Sequence, residues 1–372
     1  MSESSGELAY SVDGMPALEM SGRSTSWFEF WPLWAMYFPV VIQWLALSVR
    51  YRSATLPLIA NPAVPLSGMV GVAKTEILTQ CGPRGREWVL PWVTLSVTAE
   101  PPVAQVEQLL PRLREAGIHF PLVAKPDIGC RGAGVKCLDS ADELATYIAA
   151  YPQGAAIVVQ KLALWEPEAG VFYVRMPGEA RGRITSLALK YSPYVVGDGE
   201  RTLEQLLLAD PRAANLTGLY HERHKHNWHV VIPAGQAYRL VFSASHSKGA
   251  IFRDGAAYIS DELTTALDTL FDELPGYYYG RLDIKFHSIE RLIRGQDFAV
   301  IEINGASSES IHIWDKNMRL WPAMRALFDQ YATLFRIGNE NRKQGHKPPS
   351  LMALWRAWRL EANLVRQYPE ND

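Results

Sequence analysis

Three oxygen-bearing side chains, Asp283, Glu302 and Asn304, stand in apolar segments that would otherwise exclude them. Asp283 lies between Leu282 and Ile284, and Glu302 and Asn304 are two apart around Ile303. Alternation along a strand puts Glu302 and Asn304 on one face. An unpaired buried carboxylate is very costly, so these groups need partners. Converging from paired strands, they would suit Mg²⁺, with Mn²⁺ as an alternative, because a hard cation takes a few carboxylates plus phosphate oxygens. Arg281, two before Asp283, projects to the same side and could meet a phosphate oxygen. A buried salt-bridge network with Arg281 and Lys285 explains the same residues without a ligand.

A second set lies upstream. Residues 120–125 (FPLVAK) read as a buried strand, followed by the glycine-rich 126–134 (PDIGCRGAG) and a further strand at 135–138. Gly129, Gly132 and Gly134 would let backbone N–H groups approach a phosphate, and Lys125 adds a point charge. The spacing fits neither the Walker pattern nor a dinucleotide fingerprint, and a plain hairpin is the alternative. His221, His224, His226 and His229 crowd one segment. With no cysteine nearby, they read as surface histidines, with zinc ligation a remote alternative.

Gly-Arg-Leu-Asp (280–283) followed by Glu-Ile-Asn-Gly (302–305) resembles the metal-binding end of ATP-grasp enzymes. It resembles especially D-alanine–D-alanine ligases and the ligase half of cyanophycin synthetase. It runs motif by motif over about residues 120–315 and implies an α/β (α+β) ATP-grasp fold. It also implies Mg²⁺ on Asp283, Glu302 and Asn304, with Arg281 facing a reacting acyl phosphate. The strand–glycine loop–strand resembles the family's flexible phosphate cover. Gln160, Lys161 and Leu162 fall where the family reads the adenine edge. An acidic residue just beyond holds the ribose there, which points to Glu168 with Glu166 second. Lys190 resembles a second phosphate-facing lysine. Residues 194–207 (YVVGDGERTLEQLL) resemble an insert of the cyanophycin synthetase type. Residues 245–255 (SHSKGAIFRDG) resemble the substrate-facing segment, making His246, Lys248 and Arg253 candidates to hold a carboxylate or acyl phosphate.

Positioning such residues takes a sizeable core, which 372 residues with 48% hydrophobic and 20% charged content can bury. A net charge of −2 argues against coating nucleic acid, and three cysteines without metal spacing suggest a reducing compartment. Residues 1–26, rich in Ser, Gly and Glu, read as a mobile leader. Residues 53–119 read as a short α/β unit with strands at 56–60 and 89–97, helices at 72–81 and 103–116, and a small parallel sheet. Its loop with Asn61, Ser67, Gly68 and Lys74 would lie where α/β folds bind ligands. Residues 120–340 carry the ATP-grasp unit, divided into 120–191 and 192–340. Within it, helices are expected at 140–150, capped by Ser140, at 261–274 and at 317–337, with strands at 156–162, 170–176 and 183–190.

Residues 27–52 stand apart. The stretch 30–49 (FWPLWAMYFPVVIQWLALSV) is uncharged, close to the roughly 20 residues that span a bilayer, and followed by Arg50 and Arg52. It could lie in a membrane interface, bury as a core or homodimer helix, or span. The tail 341–372 places Leu351, Leu354, Trp355 and Trp358 near helical spacing among arginines. That is a basic interfacial helix or one docked on the core. The expectation is an ADP-forming carboxylate–amine ligase using ATP and Mg²⁺. It would take small-molecule or lipid-linked carboxylate and amine substrates, in the cytoplasm or on a membrane's cytoplasmic face. The alternatives are a kinase acting on a hydroxyl and a non-catalytic ATP-binding recruitment module.

Overall fold

The computed structural model describes residues 8–19, 25–29, 31–129, 132–243 and 245–369. Phe30, Cys130, Arg131 and parts of the expected leader (1–7 and 20–24) lie outside the described residues. The described part of the leader is not free. β1 (Leu8–Ala9) and β2 (Leu18–Glu19) form an antiparallel hairpin, and Met15 and Leu18 join the main core. Burying these two side chains gives the segment a fixed place that its polar composition hides.

α1 (Leu33–Tyr51) follows. Met36 and Val40 are buried, and Trp44 packs edge-on against Tyr331 and Phe335. The opposite face leaves Trp34, Phe38, Ile42, Leu45 and Val49 exposed. Among the described residues no helix is long and apolar enough to cross a membrane. Residues 56–59 form a 3-10 turn, Leu56–Ile59, instead of a strand, since Pro57 near its start can donate no ladder hydrogen bond. A second such turn, Pro65–Gly68, leads to α2 (Lys74–Thr79) and α3 (Pro83–Arg86).

The expected parallel sheet does not form. β3 (Trp92–Ser96) instead pairs antiparallel in a four-stranded sheet with β4 (Leu122–Pro126), β5 (Lys136–Leu138) and β6 (Ala156–Lys161), in the order β3-β6-β4-β5. α4 (Pro102–Glu115) and α5 (Ala141–Ala149) cover one face of this sheet with Leu109, Leu113, Leu144 and Ile148. Ser140 caps α5 by accepting from the Glu143 N–H at 3.2 Å, as its sequence predicts.

The larger sheet is antiparallel and five-stranded, β11-β8-β7-β12-β13. Its strands are β7 (Glu168–Val174), β8 (Arg183–Tyr191), β11 (Ile251–Asp254), β12 (Tyr279–Phe286) and β13 (Phe298–Asn304). Alternation divides its faces. Leu282, Ile284, Val171 and Leu187 look toward α8 (Asp261–Asp272) and α9 (Ile289–Ile293) and form the main core. The other face carries Arg281, Asp283, Lys285 and Glu302 together with the buried Phe172, Val174 and Tyr279.

Between β8 and β11 the chain forms a satellite. β9 (Tyr194–Val196) pairs with β10 (Ala237–Arg239), and α6 (Leu203–Ala209) opens on a Thr202–Gln205 capping box before α7 (Thr217–His224). Asp198 in the Gly-Asp-Gly turn accepts from the Glu200 and Arg201 N–H groups at 3.0 and 2.8 Å, a structural role. α10 (Leu320–Lys343) backs the molecule, and α11 (Leu351–Val365) closes it with no fully buried residue.

Candidate active site

β12 and β13 set Asp283 directly across from Glu302, and Arg281 across from Asn304. Directly opposed residues share a face, so all four point into the cleft between the sheets. Arg281 donates to both oxygens of Asp283, Nε at 2.7 Å and Nη2 at 3.0 Å, and Asn304 Nδ2 reaches Asp283 Oδ2 at 3.2 Å. Gly170 faces Asp283 from β7, where an added Cβ would lie 3.2 Å from Arg281 Cδ and 2.7 Å from Ile311 Cδ1. Glycine therefore makes room for the guanidinium.

Glu302 is held more loosely, with Lys74 Nζ at 3.8 Å. Burial alone would raise its pKa, but Lys74, Lys125 and Arg281 outweigh burial and hold it below the usual carboxylate range. Lys125, on β4, bridges the two sheets. Its ammonium is buried and donates to Gln160 Oε1 at 2.8 Å and, across the cleft, to the Ile301 carbonyl at 3.0 Å. Burial pulls its pKa down to about 8, against the pull of Glu302 and Asp283.

The glycine-rich loop is gripped from three directions. Lys74 Nζ donates to Gly129 O at 2.7 Å, Lys248 Nζ to Gly132 O at 3.1 Å, and Tyr147 Oη to Gly134 O at 2.5 Å. Asp127, at the start of the loop, is fixed by the Thr75 N–H and hydroxyl at 2.9 and 2.7 Å. Lys74 therefore links the loop to Glu302. Of the loop residues marked out beside it, Asn61 and Ser67 are structural. Asn61 is wholly buried and bonds the backbone of Tyr278 and Tyr279 as well as that of Ser67.

Several candidate residues are placed differently from expectation. Glu168 and Lys190, marked for a ribose and a phosphate, are paired with each other, and Lys285 Nζ takes the second Glu168 oxygen at 3.0 Å. Burial would raise the Glu168 pKa, but the two ammoniums outweigh it and hold it at about 2. Arg253 stands opposite Leu189 on the core-facing side of the sheet and donates to the carbonyls of Phe252 and Glu19, so it does not reach the cleft. His246 packs at a tilt against Trp314 and lies 3.3 Å from the buried Glu29, which also holds Arg212 at 2.6 Å. At the expected adenine-edge position, the Lys161 N–H is paired to Pro91 O at 2.9 Å and Gln160 is buried, with Leu162 following the strand. The histidines of 221–229 do not converge: His224 bonds Leu240 O and the Tyr238 hydroxyl, while His221 packs on Trp228.

Two contacts near the cleft were not legible beforehand. Tyr368, beyond α11, donates to Ile128 O at 2.8 Å, and Glu361 accepts from the Gly71 N–H at 2.6 Å. No family model matches this sequence, and no curated protein matches it either. Solved structures do resemble the fold. D-alanine–D-alanine ligase from Bacillus anthracis aligns over 76% of this chain and 72% of its own, at 14% identity and a TM-score of 0.42. The D-alanine–D-alanine ligase from Coxiella burnetii aligns over 81% and 64%, at 11% identity and a TM-score of 0.38. A bifunctional glutathione synthetase from Pasteurella multocida aligns over 69% of this chain and only 36% of its own, at 13% identity and a TM-score of 0.36. The chemistry proposed below rests on this chain's own side chains.

Among the described residues, no three His, Cys, Asp or Glu stand close enough to hold a metal by themselves. Two carboxylates and an amide on one face nevertheless fit a hard cation that is completed by phosphate oxygens. Arg281 now covers both oxygens of Asp283, so a metal there requires the guanidinium to release at least one of them.

Proposed function

We propose that this chain is an ATP-dependent ligase that activates a carboxylate as an acyl phosphate and joins it to an amine, releasing ADP and phosphate. The observation that carries this reading is the cleft itself. Asp283 and Glu302 face each other across β12 and β13, and Lys125 crosses from the other sheet to the same strand. Bound Mg²⁺ would neutralise phosphate charge and align the transferring group. Asp283, Glu302 and Asn304 would hold it. Lys125 and Lys74 bring positive charge to the phosphates, and Arg281, once off Asp283, can meet the charge that develops in transfer. Lys248 and Lys74 hold the loop that would keep water from the acyl phosphate. Glu166, on the surface near Arg239, is the acid left to meet a ribose, since Glu168 is engaged.

The test is ADP release by purified protein with Mg-ATP and a panel of carboxylates and amines. Glu302→Ala and Asp283→Asn should each lower the rate about 100-fold or more, with an unchanged circular dichroism spectrum. Undiminished ADP release from folded Glu302→Ala would reject the site.

A further inference from the structure

α1 is apolar on both sides, and only one side is packed. Met36 and Val40 are buried, and Trp44 meets Tyr331 and Phe335. Polar bonds fix the same side to α10. Gln43 Nε2 donates to the Phe328 carbonyl and Arg342 Nη1 to that of Tyr51, each at 2.9 Å. The outer side is a second row on helical spacing, Trp34, Phe38, Val41, Ile42, Leu45 and Val49. Each is more than half exposed, up to 79% at Val49. A helix that is apolar all round belongs in a core or in lipid. A monomer rarely turns so continuous an apolar row to water.

The charges beside this row are of one sign. From Leu33 to Tyr51 the helix holds no acid, and Arg50 and Arg52 close it. Arg50 lies over the Tyr51 ring at 5.7 Å, and among the described residues no acid pairs with either arginine. The only polar side-chain atom in the row is the Trp34 indole nitrogen, because Gln43 and Ser48 are spent on the carbonyls of Phe328 and Trp44. A protein partner would find little here to fix a register, since protein interfaces carry about one hydrogen bond per 100–200 Å². A second copy would set the row on itself and bring two arginines to a helix with no acid to receive them. An anionic lipid surface matches every part. Acyl chains take the apolar row, headgroup phosphates take the arginines, and the exposed indoles of Trp27 and Trp34 suit the boundary between them. The inner side already holds the helix in place, so no segment has to order on contact.

We propose that the outer side of α1 docks this chain on an anionic membrane surface, with Arg50 and Arg52 at the lipid phosphates. The proposal stands apart from the ligase reading, since none of these residues belongs to the cleft. Full-length protein should co-sediment at low salt, without detergent, with vesicles of phosphatidylcholine and phosphatidylglycerol. Binding to phosphatidylcholine alone should be roughly 25-fold weaker, as each arginine near an anionic surface is worth about fivefold. The double variant Arg50→Gln, Arg52→Gln should bind both vesicle types at the neutral level. Ile42→Glu, Leu45→Glu, with both positions exposed, should lower binding to the anionic vesicles at least about 100-fold at an unchanged melting temperature. Absent co-sedimentation of wild type, equal binding to the two vesicle types, or undiminished binding by Ile42→Glu, Leu45→Glu overturns the proposal. So does a wild-type dimer in light scattering that the glutamate variant dissociates, because a second copy would then cover the row.

Discussion

Two charge clusters share one face of the five-stranded sheet, and they are built for different ends. At the β7–β8 end, Glu168 spends both oxygens on Lys190 and Lys285 and is 8% exposed. At the β12–β13 end, Glu302 has Lys74 at 3.8 Å and a side chain 28% exposed, while Lys125 is buried with a pKa pulled down to about 8. The first cluster is closed, with its ions already satisfied. The second is open, its opposite charges near one another and incompletely matched. Fully matched buried ions specify structure, while shifted and loosely held ones mark places where a ligand can complete the set.

The largest effect should separate the clusters by stability. Glu168→Gln leaves two buried ammoniums beside each other, and uncompensated buried charges cost about 3–5 kcal/mol. Urea unfolding should show a loss of that order, against roughly 1 kcal/mol for Glu302→Gln, whose partner is distant. The pH dependence follows the same line. Glu168 sits at about 2 when folded and ordinarily near 4.5. Its contribution is therefore complete above pH 4.5 and lost as the pH falls toward 2. Acid unfolding of Glu168→Gln should lack this component. Equal destabilisation by the two variants would erase the distinction.

This distinction was only half legible in the sequence. Polar residues alternating with apolar ones around Asp283 and Glu302 announced two strands with a charged face, and Ser140 announced a helix start. Local pattern suffices there, because cap and alternation act within a few residues. The pairing of Glu168 with Lys190 and Lys285 depends on the register of three strands, which no local pattern states. The same limit applies to residues 8–19, whose docking depends on a core made elsewhere, and to Arg253, whose face is set by its pairing with Leu189. Residues 56–59 failed for a simpler reason: an apolar run containing a proline was read as a strand.

A medium effect should come from Lys125. Its folded pKa of about 8 lies below the ordinary 10.5, so between those values the unfolded chain carries the extra proton. Stability should therefore rise with pH across that window as the burial penalty is relieved. Lys125→Met should lack this rise. Nucleotide affinity should run the opposite way, falling about tenfold above pH 8 in wild type as the point charge is lost, and staying flat and weaker in Lys125→Met. Titration of ATP at pH 7 and pH 9.5 reads both. A pH-independent affinity in wild type would mean that Lys125 bridges the sheets without serving a phosphate, and the open cluster would be structural after all.

The smallest effect tests whether the open cluster depends on the tail. The Tyr368 hydroxyl donates to Ile128 O at 2.8 Å, and its ring lies 5.3 Å from that of Tyr151, which itself bonds Gly134 O. Tyr368→Phe keeps the ring contact and removes one hydrogen bond, worth about 1 kcal/mol. If the tail steadies the glycine-rich loop, the loss should appear as roughly a threefold to fivefold weaker ATP affinity, with the melting temperature nearly unchanged. The closed cluster lies outside this contact, so Glu168→Gln in the same background should add its full stability loss independently. Coupling between the two substitutions would show that both ends of the sheet respond to the tail. Additivity would confine the tail's influence to the end where Lys74 and Lys248 grip the loop.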